Sequence, residues 1–165
     1  MRIAGLVQDS IVDGPGLRFA VFAQGCEFSC EGCHNPDTQD IGGGREMAVG
    51  DIIREMHSNP LTDGLTLTGG EPFLQAGDCA LIAAAAREKG LDVWVYSGYT
   101  FNELSARMGT EPDVRALLES SDVLVDGRFV LSKRSLSAKW RGSTNQRLID
   151  VQKSLLTGEV SEIPM

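Results

Sequence analysis

Three cysteines, Cys26, Cys30 and Cys33, lie close together with the spacing C-x3-C-x2-C. Iron–sulfur cubes are usually held by four thiolates, but the remaining cysteine of the chain, Cys79, falls in a predicted helix with no motif around it. Three thiolates from one loop could bind three irons of a cube and leave the fourth iron open to a substrate or cofactor. The spacing therefore predicts a site-open iron–sulfur cluster with these three cysteines as its metal ligands.

Other uses of the cysteines stay open at this point. A structural zinc ion takes four ligands, and His34, directly after Cys33, is awkwardly placed to bind the same metal. Cys30 and Cys33 have the C-x2-C spacing of a redox pair, and three unrelated structural cysteines are a further possibility. We interpret Cys79 as a buried small hydrophobic residue.

Polar and glycine-rich motifs follow several predicted strands at the point where each strand ends. They occupy residues 69–72, 97–99 and 126–128, and the cysteine loop, residues 25–44, follows the first predicted strand. In α/β folds with parallel strands the ligand site lies at the carboxyl edge of the sheet. We therefore expect the three motifs and the cysteine loop to converge on one site.

Strand-like and helix-like patterns alternate along the chain, which favours a mainly parallel sheet with right-handed crossovers. The predicted strands cover residues 17–24, 64–68, 91–96, 122–126 and roughly 146–151; the helices cover 47–58, 75–89 and a segment around Val114, Leu117 and Leu118. A chain of 165 residues is short for an eight-fold barrel, which needs about 250. We expect an α/β fold in a single domain, residues 1–165: an open partial (β/α) barrel of about four to six mainly parallel strands.

The chain is acidic overall, with a formal net charge of −8. This balance argues against non-specific binding to nucleic acid or to an anionic membrane surface. No signal peptide is apparent, and the longest small-apolar run, residues 80–86, is too short to span a bilayer. We expect a cytoplasmic protein with free thiols.

The basic residues are unevenly placed. Residues 127–149 contain no Asp or Glu but six basic residues: Arg128, Lys133, Arg134, Lys139, Arg141 and Arg147. Such a segment is either a solvated basic face or a surface that meets an anionic ligand or an acidic partner.

Taken together, the motifs resemble those of a known family. The cysteine spacing resembles the cluster motif of the radical S-adenosylmethionine (SAM) superfamily, and residues 69–72 resemble its methionine-binding motif. Residues 13–18 are similar to the glycyl-radical-enzyme activases, such as pyruvate formate-lyase activating enzyme. Residues 94–99, 125–129 and 141–147 resemble the branch that activates anaerobic ribonucleoside-triphosphate reductase. The resemblance extends from about Gly5 to Val151.

The resemblance implies a radical SAM core and a radical SAM oxidoreductase with two cofactors, one [4Fe–4S] cluster and SAM. In this family the reduced cluster gives an electron to SAM, and the resulting 5′-deoxyadenosyl radical takes a hydrogen atom from a glycine of a partner enzyme. The implied partners are anaerobic ribonucleoside-triphosphate reductase and an electron donor such as reduced flavodoxin. The alternative is an activase of another glycyl radical enzyme, such as pyruvate formate-lyase.

The resemblance also implies roles for residues that follow two of the strands. No side chain is assigned a catalytic role, because the cluster and SAM carry the chemistry. Glu71 would accept a hydrogen bond from the SAM ammonium group, and Gly69 and Gly70 would let the backbone approach the ligand. Ser97 would bind the SAM ribose or carboxylate, and Arg128 the carboxylate.

The adenine of SAM would lie beside Gly32, Cys33 and His34, partly against backbone groups. Many family members have an aromatic residue at the position of Gly32, whereas this chain does not. The family resemblance leaves the roles of five further residues undecided: Asp13, Arg18, Asp126, Arg141 and Asn145.

Overall fold

The structure, a computed structural model, describes residues 1–164. Its strands are β1 (Arg2–Ser10), β2 (Arg18–Ala23), β3 (Arg45–Glu46), β4 (Gly64–Gly69), β5 (Asp92–Ser97), β6 (Val123–Asp126) and β7 (Arg147–Asp150). Its α-helices are α1 (Val49–Ser58), α2 (Ala76–Glu88), α3 (Phe101–Arg107), α4 (Pro112–Glu119) and α5 (Val151–Thr157). Short 3₁₀ turns lie at Pro36–Thr38, Pro72–Gln75 and Leu131–Lys133.

The strands form one open sheet in the order β3-β1-β2-β4-β5-β6-β7. The four central strands, β2, β4, β5 and β6, are parallel, while β1 and β7 pair antiparallel to their neighbours. Strand order never reverses along the parallel part, so crossovers of one hand place their helices on one face of the sheet. The α/β class and the open sheet are confirmed.

The predicted number of four to six strands is wrong, because the sheet has seven. β1 was missed because its register shifts between Ile3 and Gly5 and again between Val7 and Ser10, which breaks the two-residue alternation. β3 is only two residues long. β7 lies where the last strand was expected, but no α-helix is present between β6 and β7, and the chain returns antiparallel.

Alternating residues of the central strands face two different environments. Leu65, Leu67, Val93 and Val95 join the helices in the main apolar core. The residues between them on β5 and the neighbouring strands lie on the opposite face, where Trp94, Val123, Val125 and Leu148 form a smaller cluster against Trp140. This second face leaves room for a site.

Predicted helices 47–58 and 75–89 are confirmed to within two residues as α1 and α2, and the segment around Val114 is α4. Gly90 has the positive φ, +77°, of a residue that ends a helix. Two seven-residue helices, α3 and α5, were missed, since both are too short to show a clear period. No helix within residues 1–164 combines the length and apolar composition needed to cross a bilayer.

Arg18 ties the amino ends of three strands together. Its side chain is fully buried, donates to the Thr66 hydroxyl at 3.1 Å and the Leu65 carbonyl at 2.6 Å, and pairs with Asp92. These contacts lie at the start of β2, β4 and β5, whereas the predicted ligand site is at the opposite, carboxyl edge.

We predict that Gly69→Ala destabilises the fold by about 2–4 kcal/mol. Gly69 has φ +95°, and a Cβ there would lie 2.6 Å from backbone atoms of Ala23 on β2. Urea unfolding of the purified variant measures the change in free energy.

Two control variants separate the causes. Gly90 also has a positive φ, but nothing lies within 4 Å of a Cβ added there. Gly90→Ala therefore measures backbone strain alone, and we expect it to lower the free energy of unfolding by about 1 kcal/mol. Gly109→Ala has open space and no positive φ, and we expect a change within about 0.5 kcal/mol. A Gly69→Ala variant no less stable than Gly90→Ala would contradict the clash with β2.

Candidate functional site

A cleft of about 760 Å³ opens at the carboxyl ends of the parallel strands. Its lining comes from the cysteine loop after β2, residues 69–71 at the end of β4, Ser97 and Gly98 at the end of β5, and residues 127–129 after β6. The expected convergence of these motifs is confirmed. Nine of the predicted site residues line the cleft: Cys26, Cys30, Cys33, His34, Gly69, Gly70, Glu71, Ser97 and Arg128.

Backbone and side-chain hydrogen bonds close the base of the cysteine loop. The Gly25 N–H donates to the Thr38 carbonyl at 2.7 Å, and the Cys26 N–H donates to the Gln39 carbonyl at 3.1 Å. The buried Gln24 amide donates to the Asp40 carbonyl at 2.7 Å. The loop is therefore a closed unit whose cysteines are carried on one side of the cleft.

All three loop cysteines are free thiols, and each is half-buried. Burial raises the pKa of the Cys26 thiol, and the charges of Glu71, Cys30 and Cys33 raise it further, against a hydrogen bond from the Phe28 N–H. The Asn35 N–H donates to the Cys33 sulfur at 3.4 Å. Thiolates that lose solvation here need a cation as partner, which a metal supplies.

The donor set fits an iron–sulfur cluster. Soft thiolates select iron–sulfur clusters, zinc and copper(I), and each thiolate on a cube binds a different iron, so the sulfurs need not converge on one point. Within residues 1–164, no three His, Cys, Asp or Glu side chains are grouped closely enough to hold a single metal ion.

The Gly-Gly-Glu segment is docked on the start of the cysteine loop. The Gly70 N–H donates to the Ala23 carbonyl and the Glu71 N–H to the Gly25 carbonyl, both at 2.8 Å. A Cβ at Gly70 would lie 2.2 Å from that Gly25 oxygen. In the structure the glycines thus allow close approach to the protein's own backbone; their contact with a ligand stays a prediction.

Glu71 and Ser97 form one hydrogen-bonded unit in the wall of the cleft. The Glu71 carboxylate is 1% exposed and accepts from the Phe73 N–H at 3.0 Å, the Gly98 N–H at 2.8 Å and the Ser97 hydroxyl at 3.0 Å. Burial raises its pKa from 4.5 to about 7. None of the ion pairs within residues 1–164 includes it. A buried carboxylate without a counter-charge suits a ligand with a positively charged group.

Phe28 packs the cysteine loop against the loops that follow β5 and β6, and we call this contact the clamp. The sequence did not predict this role. The Phe28 ring centroid is 4.7 Å from that of Tyr99, and the Arg128 guanidinium carbon lies 4.5 Å from the Phe28 centroid. A Cβ at Gly98 would lie 2.4 Å from the ring. The available signal was an aromatic residue inside the cysteine loop, but only the fold shows what it touches.

Gly32 is the predicted site residue that does not line the cleft. Its φ is +70°, and a Cβ there would lie 2.9 Å from the Leu131 side chain. Leu131 therefore occupies the space beside residue 32. The neighbouring His34 ring packs 4.8 Å from the Phe129 ring.

The undecided polar residues hold loops in place. Buried Asp126 accepts from Arg147 at 2.9 and 2.5 Å and from the Phe101 N–H at 2.7 Å. Arg141 donates to the Gln146 carbonyl at 3.2 Å, and Asn145 donates to the Arg128 carbonyl at 2.9 Å. Asp13 accepts from the Ser10 hydroxyl at 2.5 Å. Two of these residues, Asp13 and Arg141, also line the cleft.

The chain is similar to known iron–sulfur proteins. Residues 12–149 match the family model described as a 4Fe-4S single cluster domain. The chain is 34% identical over 149 residues to the anaerobic ribonucleoside-triphosphate reductase-activating protein of Vibrio cholerae, covering 82% of this chain and 89% of that one. It is 35% identical over 144 residues to the protein of that name from Pasteurella multocida, with 82% and 89% covered. It is 33% identical over 144 residues to the one from Escherichia coli, with 82% and 90% covered.

We predict that the apoprotein loses stability as pH rises from about 4.5 to 7. Because the Glu71 pKa is raised from 4.5 to about 7, the folded state binds a proton in this window that the unfolded state has released. The free energy of unfolding should fall across the window by up to about 3 kcal/mol and then level off. Urea unfolding at several pH values measures it.

Glu71→Gln should flatten this part of the pH profile. The control is Glu111→Gln. Hydrogen bonds from Arg107 lower the Glu111 pKa, so Glu111 should contribute to the pH dependence of stability only below the window from pH 4.5 to 7. A Glu71→Gln protein with the wild-type slope between pH 4.5 and 7 would show that another group titrates there.

We predict that Phe28→Ala loosens cluster binding. Removing a half-buried ring forfeits about 1–2 kcal/mol of packing free energy. The lost contacts are those that hold the cysteine loop against the loops after β5 and β6. Iron should be extracted by a chelator about five- to thirty-fold faster from the reconstituted variant. Phe28→Leu keeps part of the contact and should give an intermediate rate, while equal rates in all three proteins would rule out the clamp.

Proposed function

This chain belongs to the family of anaerobic ribonucleoside-triphosphate reductase-activating proteins, and from that premise we propose that it activates such a reductase by reductive cleavage of SAM at a [4Fe–4S] cluster. The observation that carries the proposal is the meeting of the cysteine loop and the Gly-Gly-Glu segment at one cleft. Neither motif alone would point to SAM, whereas their contact places a metal-binding loop beside a carboxylate without a counter-charge.

Cys26, Cys30 and Cys33 would hold the cluster, which leaves one iron without a protein ligand. When bound, the reduced cluster would supply one electron to SAM, whose S–C5′ bond breaks to give methionine and a 5′-deoxyadenosyl radical that takes a hydrogen atom from a glycine of the reductase. The chain's own residues bind and orient the reactants for this step.

The Glu71–Ser97 unit would receive the SAM amino group. Its carboxylate is held in place by protein donors before any ligand arrives, so little reorganisation is needed on binding. Burial disfavours the ionised form of this carboxylate. A hydrogen bond from a charged amino group would stabilise that ionised form. Binding of SAM should therefore favour the ionised form of Glu71.

The remaining contacts follow from what lines the cleft. Arg128 is exposed and its guanidinium lies over the Phe28 ring; in the proposal it would bind the SAM carboxylate. Cys33 and His34 would lie beside the adenine, with Gly32 packed against Leu131 behind them. A volume of about 760 Å³ lies within the range of sites that enclose small molecules, and enclosure excludes water from reactive intermediates.

The proposal includes an electron donor such as reduced flavodoxin, and it makes the protein a radical SAM oxidoreductase. Support for the donor comes from the family resemblance of the motifs. Support for the reductase as partner comes from the similarity of the chain to proteins named as activators of that reductase.

Anaerobic reconstitution followed by EPR of the dithionite-reduced protein, with and without SAM, tests the proposal. The expected result is a reduced [4Fe–4S] signal that changes when SAM is added, followed by a glycyl radical signal once the reductase is present. A cluster signal indifferent to SAM would overturn the proposed chemistry.

We predict that Cys30→Ala abolishes SAM cleavage and the site-open cube, because the loop offers no other thiolate. The matched control is Cys79→Ala, since Cys79 is fully buried in α2 within the apolar core. The control should retain the cluster signal and cleavage. Mass spectrometry of 5′-deoxyadenosine measures cleavage, and product from Cys30→Ala would refute the ligand assignment.

A further inference from the structure

The long connection between β6 and β7 contains a small ordered hairpin, residues 130–144, which we call the basic hairpin. Arg134 and Ser143 form an antiparallel bridge. The Ser135 N–H donates to the Gly142 carbonyl at 3.1 Å, and the Thr144 N–H donates to the Lys133 carbonyl at 2.9 Å. The hairpin is thus a built element with its own hydrogen bonds.

A tryptophan anchors the hairpin to the sheet. Trp140 packs edge-on against Trp94 of β5, with ring centroids 6.2 Å apart. Its backbone has φ +61°, a left-handed conformation that a bulky residue adopts only when its surroundings impose it. Packing of the partly buried indole against the sheet offsets the strain, so this part of the hairpin is fixed while its tip projects into solvent.

The exposed part of the hairpin is basic and apolar. Lys133, Arg134 and Lys139 are exposed, and none of them belongs to an ion pair within residues 1–164. Leu136 at the tip is 94% exposed. In a chain of net charge −8, three unpaired cations around an exposed leucine form a surface that suits an acidic, partly apolar partner.

The hairpin stands at the mouth of the cleft. Phe129, directly before the hairpin, and Trp140 and Arg141 within it line the cleft. On another part of the lining are Ile11 and Val12, which are 70% and 73% exposed. A polypeptide that entered the cleft would therefore meet a lining to which both the hairpin and these exposed apolar residues contribute.

We propose that the basic hairpin docks an acidic segment of the reductase next to the loop that carries its radical glycine. This inference rests on the proposed function. Lys133, Arg134 and Lys139 attract the acidic side chains, and Leu136 is covered by apolar side chains of the same segment. Nucleic acid is the less suitable occupant, because the rest of the acidic chain would repel a phosphate backbone and an exposed leucine offers it little.

Charge reversal in the hairpin tests the inference. The double variant Lys133→Glu, Arg134→Glu is compared with Lys89→Glu, Lys153→Glu, which changes the net charge equally at exposed positions on the helical face, outside the ion pairs. We expect the hairpin variant to bind the reductase at least about tenfold more weakly and with less dependence on salt. The control variant should bind within about twofold of wild type.

Leu136→Ser supplies a second variant that does not depend on charge, and its exposed position makes misfolding no concern. It should weaken reductase binding about threefold or more. SAM cleavage by the reduced, isolated protein should be unchanged in all hairpin variants, since none of the altered residues lines the cleft.

The outcomes separate the docking surface from the activity. Wild-type protein that cleaves SAM but yields no glycyl radical on the reductase would overturn both proposals. Hairpin variants that bind and activate the reductase as well as wild type does would overturn the docking surface alone. Hairpin variants that still bind the reductase but no longer bind a single-stranded oligonucleotide would also overturn the docking surface.

Discussion

The site depends on one close backbone contact, the approach of residues 69–71 to the start of the cysteine loop. The Gly70 and Glu71 N–H groups donate to the carbonyls of Ala23 and Gly25, respectively. Neither Gly69 nor Gly70 has room for a Cβ. These bonds extend the parallel pairing of β2 with β4 by two residues beyond the strands. Any shift in this register would move the cysteines relative to Glu71. Sheet geometry therefore sets the distance between the cysteine loop and the Glu71 carboxylate.

The second constraint is electrostatic. Three protein donors, the Phe73 N–H, the Ser97 hydroxyl and the Gly98 N–H, bond to the Glu71 carboxylate, yet burial still raises its pKa to about 7. Hydrogen bonds from neutral groups compensate only part of the lost hydration of an anion. A carboxylate in this state costs stability in the empty protein and gains most from a ligand that brings positive charge. The fold thus holds an unfavourable group at the point where the proposed ligand would relieve it, which is common at binding sites.

How far the sequence predicted the structure follows from the kind of signal each element carries. The parallel strands and long helices show clear periodicity, and the motifs at the strand ends follow from sheet topology, so the convergence of Cys26, Glu71 and Ser97 was predictable. β1 was not, because its register shifts break the alternation. The contact of Phe28 with Tyr99 could not be predicted either, since it joins loops from distant parts of the chain. The capping box of Thr100 and Glu103 can be recognised in the sequence and would have located the start of α3.

The connection between β6 and β7 has no crossover helix, and this explains where the proposed docking surface lies. Each parallel crossover of the sheet places its helix on the helical face, and the loops that follow β4 and β5 at the carboxyl edge are short. Between β6 and β7 the chain uses its residues differently: it folds back as the basic hairpin, inserts Trp140 beside Trp94 and returns antiparallel. The same change that ends the parallel sheet therefore closes one side of the cleft and projects cations beyond it. In the proposed function, the cleft at the carboxyl edge would hold the cofactors, while the edge beside the basic hairpin stays available to a protein substrate.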